Sequence, residues 1–171
     1  MKSWTQFLFF IIGLVCSGNA AIAQVNDVPF RIAPKIQFGK CLGMPSDCNI
    51  QFSGKTVVLE FWATWCNPCI QAISHINSLA SKFDSDSVIF ISITKEAAND
   101  VERFTKTKVI KSIIAIDDSG KTNSNYKIRS IPKTFIIDSY GYIAWEGHPN
   151  SITENLLSGI IRKKNNSIKP D

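Results

Sequence analysis

The sequence has only two histidines and two methionines in 171 residues, and no internal repeat is visible. No histidine lies near Cys41 and Cys48, so metal binding by those two cysteines gains no local support. The apolar stretch Phe7–Val15 is nine residues long, too short for a membrane-crossing helix. No run of Lys or Arg builds a basic face before the C-terminal tail. The formal charge of +5 therefore reads as solubility rather than as a nucleic-acid surface. What remains is a chain of one-domain size, able to bury a core without staples, with five cysteines.

The first residues read as an export signal. Lys2 is a minimal basic region, Phe7–Val15 is the apolar core, and Ala21-Ile22-Ala23 satisfies the small-residue rule for cleavage before Gln24. Lipidation at Cys16 is a rival reading, weakened by Val15 where a small residue is wanted. An uncleaved anchor is another. Residues 1–23 are thus expected to be a leader, and a periplasmic destination of the Gram-negative type implies an oxidising compartment.

The chemistry is concentrated in Val57–Cys69, V-V-L-E-F-W-A-T-W-C-N-P-C. Val57–Trp62 is short, β-branched and aromatic, the pattern of a strand buried on both faces. Beyond the tight link Ala63-Thr64-Trp65, the residues Ile70, Ile73, Ile76, Asn77 and Ala80 recur at helical spacing, so Cys66 falls where a helix begins. Unpaired N–H groups and the helix dipole favour a thiolate there and lower its pKa. Cys69 lies one turn along the same face and can resolve a mixed disulfide at Cys66. Pro68 fits a first helical turn, where a missing N–H costs little. Glu60 is the single charged residue of the strand. Burial would raise its pKa toward neutrality and suit it to take the proton of Cys69. The plainer alternative is a carboxylate at a strand edge or tied to a lysine.

Residues 24–53 hold no long periodic segment and read as an N-terminal extension. Phe30–Ile32 and Lys35–Phe38 alternate, the pattern of short strands. Cys41 and Cys48 lie here. Four cysteines of the mature chain allow three pairings; pairing Cys41 with Cys48 and Cys66 with Cys69 closes two local loops. Cys41–Cys48 reads first as a structural disulfide, then as a second redox pair, then as metal ligands. Downstream, a helix is expected from Cys66 to Phe83, a buried strand over Ser87–Ile93 and a helix from Lys95 to Lys106 capped by Thr94. A strand at Ser112–Ile116, a short helix at Lys121–Tyr126 and strands at Thr134–Asp138 and Tyr142–Glu146 follow. A capping box at Ser151–Glu154 opens a last helix to Arg162. The order is that of an α/β sandwich on one mixed sheet. His75 reads as a packing residue of the first helix.

F-W-A-T-W-C-N-P-C, the acid six positions before the first cysteine, and Ile131-Pro132-Lys133-Thr134-Phe135 together resemble the thioredoxin superfamily. Within it they are most similar to secreted TlpA/ResA-type thiol–disulfide oxidoreductases, over roughly Gly54–Ile161. The resemblance implies an N-terminal β-hairpin within residues 24–53, before a three-layer thioredoxin-like domain over residues 54–171 with helices on both faces of a mixed sheet and Val57–Trp62 and Thr134–Asp138 at its centre. It implies catalytic roles for Cys66, Cys69, Glu60 and Pro132, and a substrate-contacting rim of Trp65, Asn67, Pro68 and Ile131. Pro132 is then expected in cis, facing the cysteine pair. The implied activity is reduction of disulfides in exported proteins, as in cytochrome c maturation, by a monomer with no cofactor or metal and with a membrane thiol reductant as electron donor. Asn67-Pro68 departs from the Gly-Pro of thioredoxin. The competing functions are a Cu(I) metallochaperone using His75 or His148, a redox-inert domain, and a thiol peroxidase using Thr64.

Overall fold

The computed structural model describes residues 31–43, 48 and 50–166. The expected leader, Cys16 and the cleavage point lie outside the described residues. Six strands form one sheet: β1 (Lys40–Leu42), β2 (Thr56–Phe61), β3 (Val88–Thr94), β4 (Ile113–Ile116), β5 (Lys133–Ile137) and β6 (Ile143–Gly147). Their spatial order is β1-β4-β3-β2-β5-β6. β2, β3 and β4 run parallel, while β1, β5 and β6 run antiparallel to their neighbours. The helices are α1 (Asn67–Ala80), α2 (Ala98–Thr105), α3 (Lys121–Asn125) and α4 (Glu154–Asn166).

β2 and β3 are buried along their whole length, which is why both read as continuous apolar runs. Alternation then divides their side chains between two layers. Val57, Leu59, Phe61, Ile89, Ile91 and Ile93 pack with Tyr126, at the end of α3, and with Ile36, Phe38 and Phe52 of the N-terminal extension. On the other face Val58 and Phe90 pack under α1 and α4, against Ile76, Leu79, Leu157 and Ile160. Trp62, the two cysteines of α1, Val101 of α2 and Ile114 of β4 continue that layer. Helices thus cover both faces of a mixed sheet, as expected for a thioredoxin-like fold. Each fully buried Leu, Ile or Phe contributes ~1.5–3 kcal/mol from removal of its surface from water.

The local expectations need four corrections. Phe30–Ile32 and Lys35–Phe38 do not form a hairpin among the described residues. Ile32 bridges Tyr142 beside β6, whereas β1 pairs with β4 at the opposite edge. The extension therefore crosses one face of the sheet instead of folding on itself, because Ile36 and Phe38 have a core to enter. The sheet centre is β3 and β2, with β5 one place further out. Thr94 does not cap α2: its Oγ1 accepts from the N–H of Glu96, and α2 starts at Ala98. The last helix is capped by Thr153, whose Oγ1 accepts from the N–H of Leu156 at 3.1 Å. Ser151 is instead held in the 3-10 turn Pro149–Ser151.

The link from β4 to α3 turns on a buried acid. Asp117 is fully buried, and its carboxylate accepts from the N–H of Thr122 and from the N–H and Nδ2 of Asn123. Gly120, at φ 67°, supplies the left-handed residue before the helix. Thr122 Oγ1 accepts in turn from the N–H of Gln37 at 2.7 Å, so Asp117 also fixes the extension indirectly. Asp117→Ala leaves those donors without their acceptor and is expected to cost ~2–3 kcal/mol. Urea unfolding should show a lower midpoint at unchanged slope; a loss under ~0.5 kcal/mol contradicts this role.

Candidate redox-active site

β2 ends at Phe61, and the backbone continues in the same line, with the N–H of Trp62 donating to the carbonyl of Ile93 at 3.2 Å. The chain then turns, with the N–H of Cys66 donating to the carbonyl of Ala63, and α1 begins. Cys66 is its N-cap, with φ −86° and ψ 96°, and Asn67 and Pro68 occupy the first helical positions. This is the geometry the apolar strand and the helical repeat lead to: a strand end, a four-residue turn, and a cysteine at the helix start.

Cys66 and Cys69 form a disulfide with Cα atoms 5.2 Å apart. Cys66 Sγ accepts from the N–H of Cys69 at 3.3 Å, so the sulfur sits where a Ser or Asp oxygen caps other helices. A thiolate at that position gains the same N–H group and the positive end of the helix dipole. Cys66 is 5% exposed and Cys69 is fully buried. Trp65 is 72% exposed, and Asn67 and Pro68 are exposed beside it, giving the first sulfur an open apolar rim.

The turn is fastened from β3. Glu96, just past the end of β3, accepts from the N–H of Thr64 at 2.7 Å through Oε2 and from Thr64 Oγ1 at 2.6 Å through Oε1. Thr94 Oγ1 also donates to Oε2. Glu96 was not expected at the site. In sequence it is an acid after a strand, and nothing local separates it from a solvated loop residue. Its grip also commits the Thr64 hydroxyl, the group on which the peroxidase reading rests.

Glu60 lies on the α1 side of β2, two residues before Trp62, and is 4% exposed. Register sets it between Ser92 on β3 and Thr134 on β5. Ser92 Oγ donates to Glu60 Oε2 at 3.0 Å. Glu60 Oε1 and Thr134 Oγ1 have no hydrogen-bond partner among the described residues. Burial raises the Glu60 pKa from 4.5 to about 7, against a smaller opposing effect of the Ser92 hydroxyl. With β3 on one side of it and β5 on the other, Glu60 is not at a sheet edge, and no lysine pairs with it among the described residues.

Ile131-Pro132 is a cis peptide. Lys133, the first residue of β5, is paired with Phe61, the last of β2, so residues 131–132 lie at the same end of the sheet as the cysteine pair. Ile131 packs against the cluster that contains Cys66, Cys69 and Trp62. The site residues expected from sequence therefore converge at one end of β2. Cys41 and Cys48 form a second disulfide, with Cys41 on β1 packed in the opposite layer, among Ala115, Ile91 and Ile93. His75 Nε2 bonds with the carbonyl of Ile152, and His148 Nδ1 accepts from the N–H of Asn150. The described residues contain no group of three His, Cys, Asp or Glu side chains placed to hold a metal ion, and no helix long and apolar enough to cross a membrane.

Burying Glu60 has a pH signature. Its folded pKa lies above the unfolded one, so the folded state binds the proton more tightly. The group leaves stability untouched below about pH 4.5 and lowers it as pH rises toward 7. The loss levels off near ~3 kcal/mol. Glu60→Gln should therefore gain stability on wild type, measured by urea unfolding, as pH rises from about 4.5 to 8. A pH-independent difference contradicts the raised pKa.

Comparison with known proteins agrees with this geometry. The AhpC/TSA family profile matches residues 37–146. The thiol-disulfide oxidoreductase ResA of Bacillus thuringiensis subsp. konkukian (strain 97-27) is 33% identical over 96 residues, 56% of this chain and 56% of that protein. The thioredoxin-like protein YneN of Bacillus subtilis (strain 168) is 36% identical over 93 residues, 53% of this chain and 54% of that protein. The chain thus spans little more than half the length of these relatives. Among solved structures, StoA from Bacillus subtilis superposes with a TM-score of 0.57 at 25% identity, covering 68% of this chain and 90% of that one. The thioredoxin domain of a Bacteroides vulgatus thiol-disulfide oxidoreductase gives 0.63 at 19% identity, covering 79% and 96%. With the fold, the cysteine turn and a profile spanning most of the described domain in agreement, the chain belongs to the AhpC/TSA family of thioredoxin-like proteins.

Proposed function

We propose that the protein is an exported thiol–disulfide oxidoreductase that reduces disulfides in exported proteins. The observation that carries this reading is the position of Cys66 Sγ as the cap of α1, disulfide-bonded to the fully buried Cys69. In the reduced protein the Cys66 thiolate attacks one sulfur of a substrate disulfide. The substrate S–S bond breaks, a mixed disulfide forms and one substrate thiolate leaves. Cys69 loses its proton to Glu60 and attacks Cys66 Sγ. The second substrate thiol is released, and the Cys66–Cys69 disulfide holds the two electrons' worth of oxidation. Trp65, Asn67 and Pro68 border the attacked sulfur, and Ile131, beside Pro132, offers its backbone to an extended substrate segment.

Two electrons must then be returned from outside, since the compartment oxidises; a membrane thiol reductant is the proposed donor. The name of the ResA relatives supports the activity, and the leader-like N-terminus supports a periplasmic destination, with cleavage after Ala23. Apocytochromes of the cytochrome c maturation type are the proposed substrates, the protein acts as a monomer, and Cys41–Cys48 is a structural bond. No cofactor or metal takes part in these steps.

The test is insulin reduction with dithiothreitol as donor. Cys66→Ser should abolish turnover. Cys69→Ser should accumulate a mixed disulfide with insulin through Cys66, visible on a non-reducing gel. Under brief iodoacetamide treatment of the reduced wild type, Cys66 should label before Cys69. Trapping through Cys69, or labelling in the reverse order, contradicts the assignment of roles.

A further inference from the structure

The segment between α3 and β5, Lys127-Ile128-Arg129-Ser130, leads into the Ile131-Pro132 loop. Lys127, Arg129 and Ser130 are exposed. Residues of this segment line two depressions. One, of about 290 Å³, is lined by Arg31, Lys127, Arg129, Lys133 and Glu146. The other, of about 380 Å³, is lined by Lys95, Lys127 and Arg129 with the polar Asn123 and Ser124 of α3. Five cations and one carboxylate therefore line the two depressions. That carboxylate is already shared: Glu146 pairs with Arg31 and, at 3.1 Å, with Lys133. Lys95, Lys127 and Arg129 make no ion pair among the described residues.

The patch belongs to the redox end of the molecule. Lys95 immediately precedes Glu96, whose carboxylate holds Thr64, two residues from Cys66. Lys133 is the register partner of Phe61 at the end of β2. Three further acids lie nearby, each bonded only to neutral donors: Glu96 to Thr64 and Thr94, the buried Asp117 to Thr122 and Asn123, and Asp118 to the N–H of Ser119. Lys127 and Arg129, exposed and in no ion pair among the described residues, thus precede the loop on which a substrate strand is proposed to lie, while Trp65 offers an apolar surface by the sulfur. The five cations come from three separate stretches of chain, at Arg31, Lys95 and Lys127–Lys133, so no basic run joins them in the sequence.

We propose that Lys95, Lys127 and Arg129 form a docking surface for acidic polypeptide, selecting substrates whose disulfide cysteine is flanked by Asp or Glu. The inference rests on the thiol–disulfide reading above and names the substrate class for that same site. Complementary charge of this kind acts on the encounter rate more than on the chemical step, and salt screens it. It raises association by about 10-fold or more at low ionic strength.

The probes are two synthetic peptides carrying the same central cystine bridge, one flanked by Asp and Glu, the other by Lys. Their reduction by the pre-reduced protein is followed by stopped-flow at 20 mM and 500 mM NaCl, with uncharged dithiodipyridine as a third disulfide. The expected result is a roughly tenfold preference for the acidic peptide at low salt, falling toward unity at high salt and in Lys127→Gln/Arg129→Gln. Circular dichroism checks that this exposed double variant is folded. Equal rates, a preference for the basic peptide, or a preference that the double variant keeps overturns the proposal. So does reduction of dithiodipyridine with neither peptide attacked. Sedimentation of the protein with anionic vesicles alongside equal peptide rates assigns the patch to a lipid surface instead. Failure to reduce dithiodipyridine removes the thiol–disulfide reading itself, and this inference with it.

Discussion

The arrangement depends on one junction: a strand buried on both faces ends against the N-terminus of a helix, and a cysteine sulfur caps that helix. Helix starts leave N–H groups without partners. Most helices satisfy one of them with a hydroxyl or carboxylate oxygen; here the acceptor is Cys66 Sγ, taking the N–H of Cys69. An acceptor that improves when it carries negative charge favours the thiolate, and with it the reduced form of the pair. The rest of the fold keeps that sulfur in place. The run of β2 through the sheet centre fixes the strand end, Glu96 fixes Thr64 in the turn, and the pairing of Lys133 with Phe61 brings the Pro132 loop to the same end.

Glu60 shows the cost of such a site. An apolar residue between Val58 and Trp62 would pack without penalty, yet the strand carries a carboxyl with one oxygen bonded to Ser92 and the other without a partner. The layer around it is apolar, so the charge is disfavoured and the proton is held to near neutrality. A group poised there exchanges protons at physiological pH, which is the property a partner for a buried thiol requires. The stability lost as pH rises from about 4.5 to 7 is the expected counterpart, since local structure that breaks packing rules concentrates at functional sites.

Much of this was legible in the sequence, for identifiable reasons. Val57–Trp62 and Ser87–Ile93 foretell β2 and β3, which run over Thr56–Phe61 and Val88–Thr94, because full burial writes itself as an apolar run. Ile73 and Ile76 mark the inward face of α1 through helical spacing, whereas Ile70, Asn77 and Ala80 of the same repeat are only half-buried and the buried Leu79 lies outside it. Cys66, Cys69 and Glu60 stand out because each is chemically foreign to its surroundings. The failures share a different physics. The extension was misread because Ile36 and Phe38 are ordered by a distant core, which alternation cannot report. Thr94 and Ser151 are good capping residues whose hydroxyls were not at the helix start once Glu96 and Pro149 had set the preceding turns. Glu96, and the cations around the Pro132 loop, became visible only when strand order brought separate stretches together.

The central claim is that Cys66–Cys69 is a reversible redox couple tuned by its place at the helix start, while Cys41–Cys48 is a fixed brace. The most direct measurement is the equilibrium reduction potential of each pair in the mature protein, by thiol trapping and mass spectrometry across defined redox buffers. Cys66 and Cys69 should titrate together as a two-electron couple between about −270 and −120 mV, the range of working thioredoxin-like oxidoreductases, with Cys41–Cys48 still oxidised through that range. A Cys66–Cys69 bond that stays closed below about −300 mV, where structural disulfides lie, would contradict it.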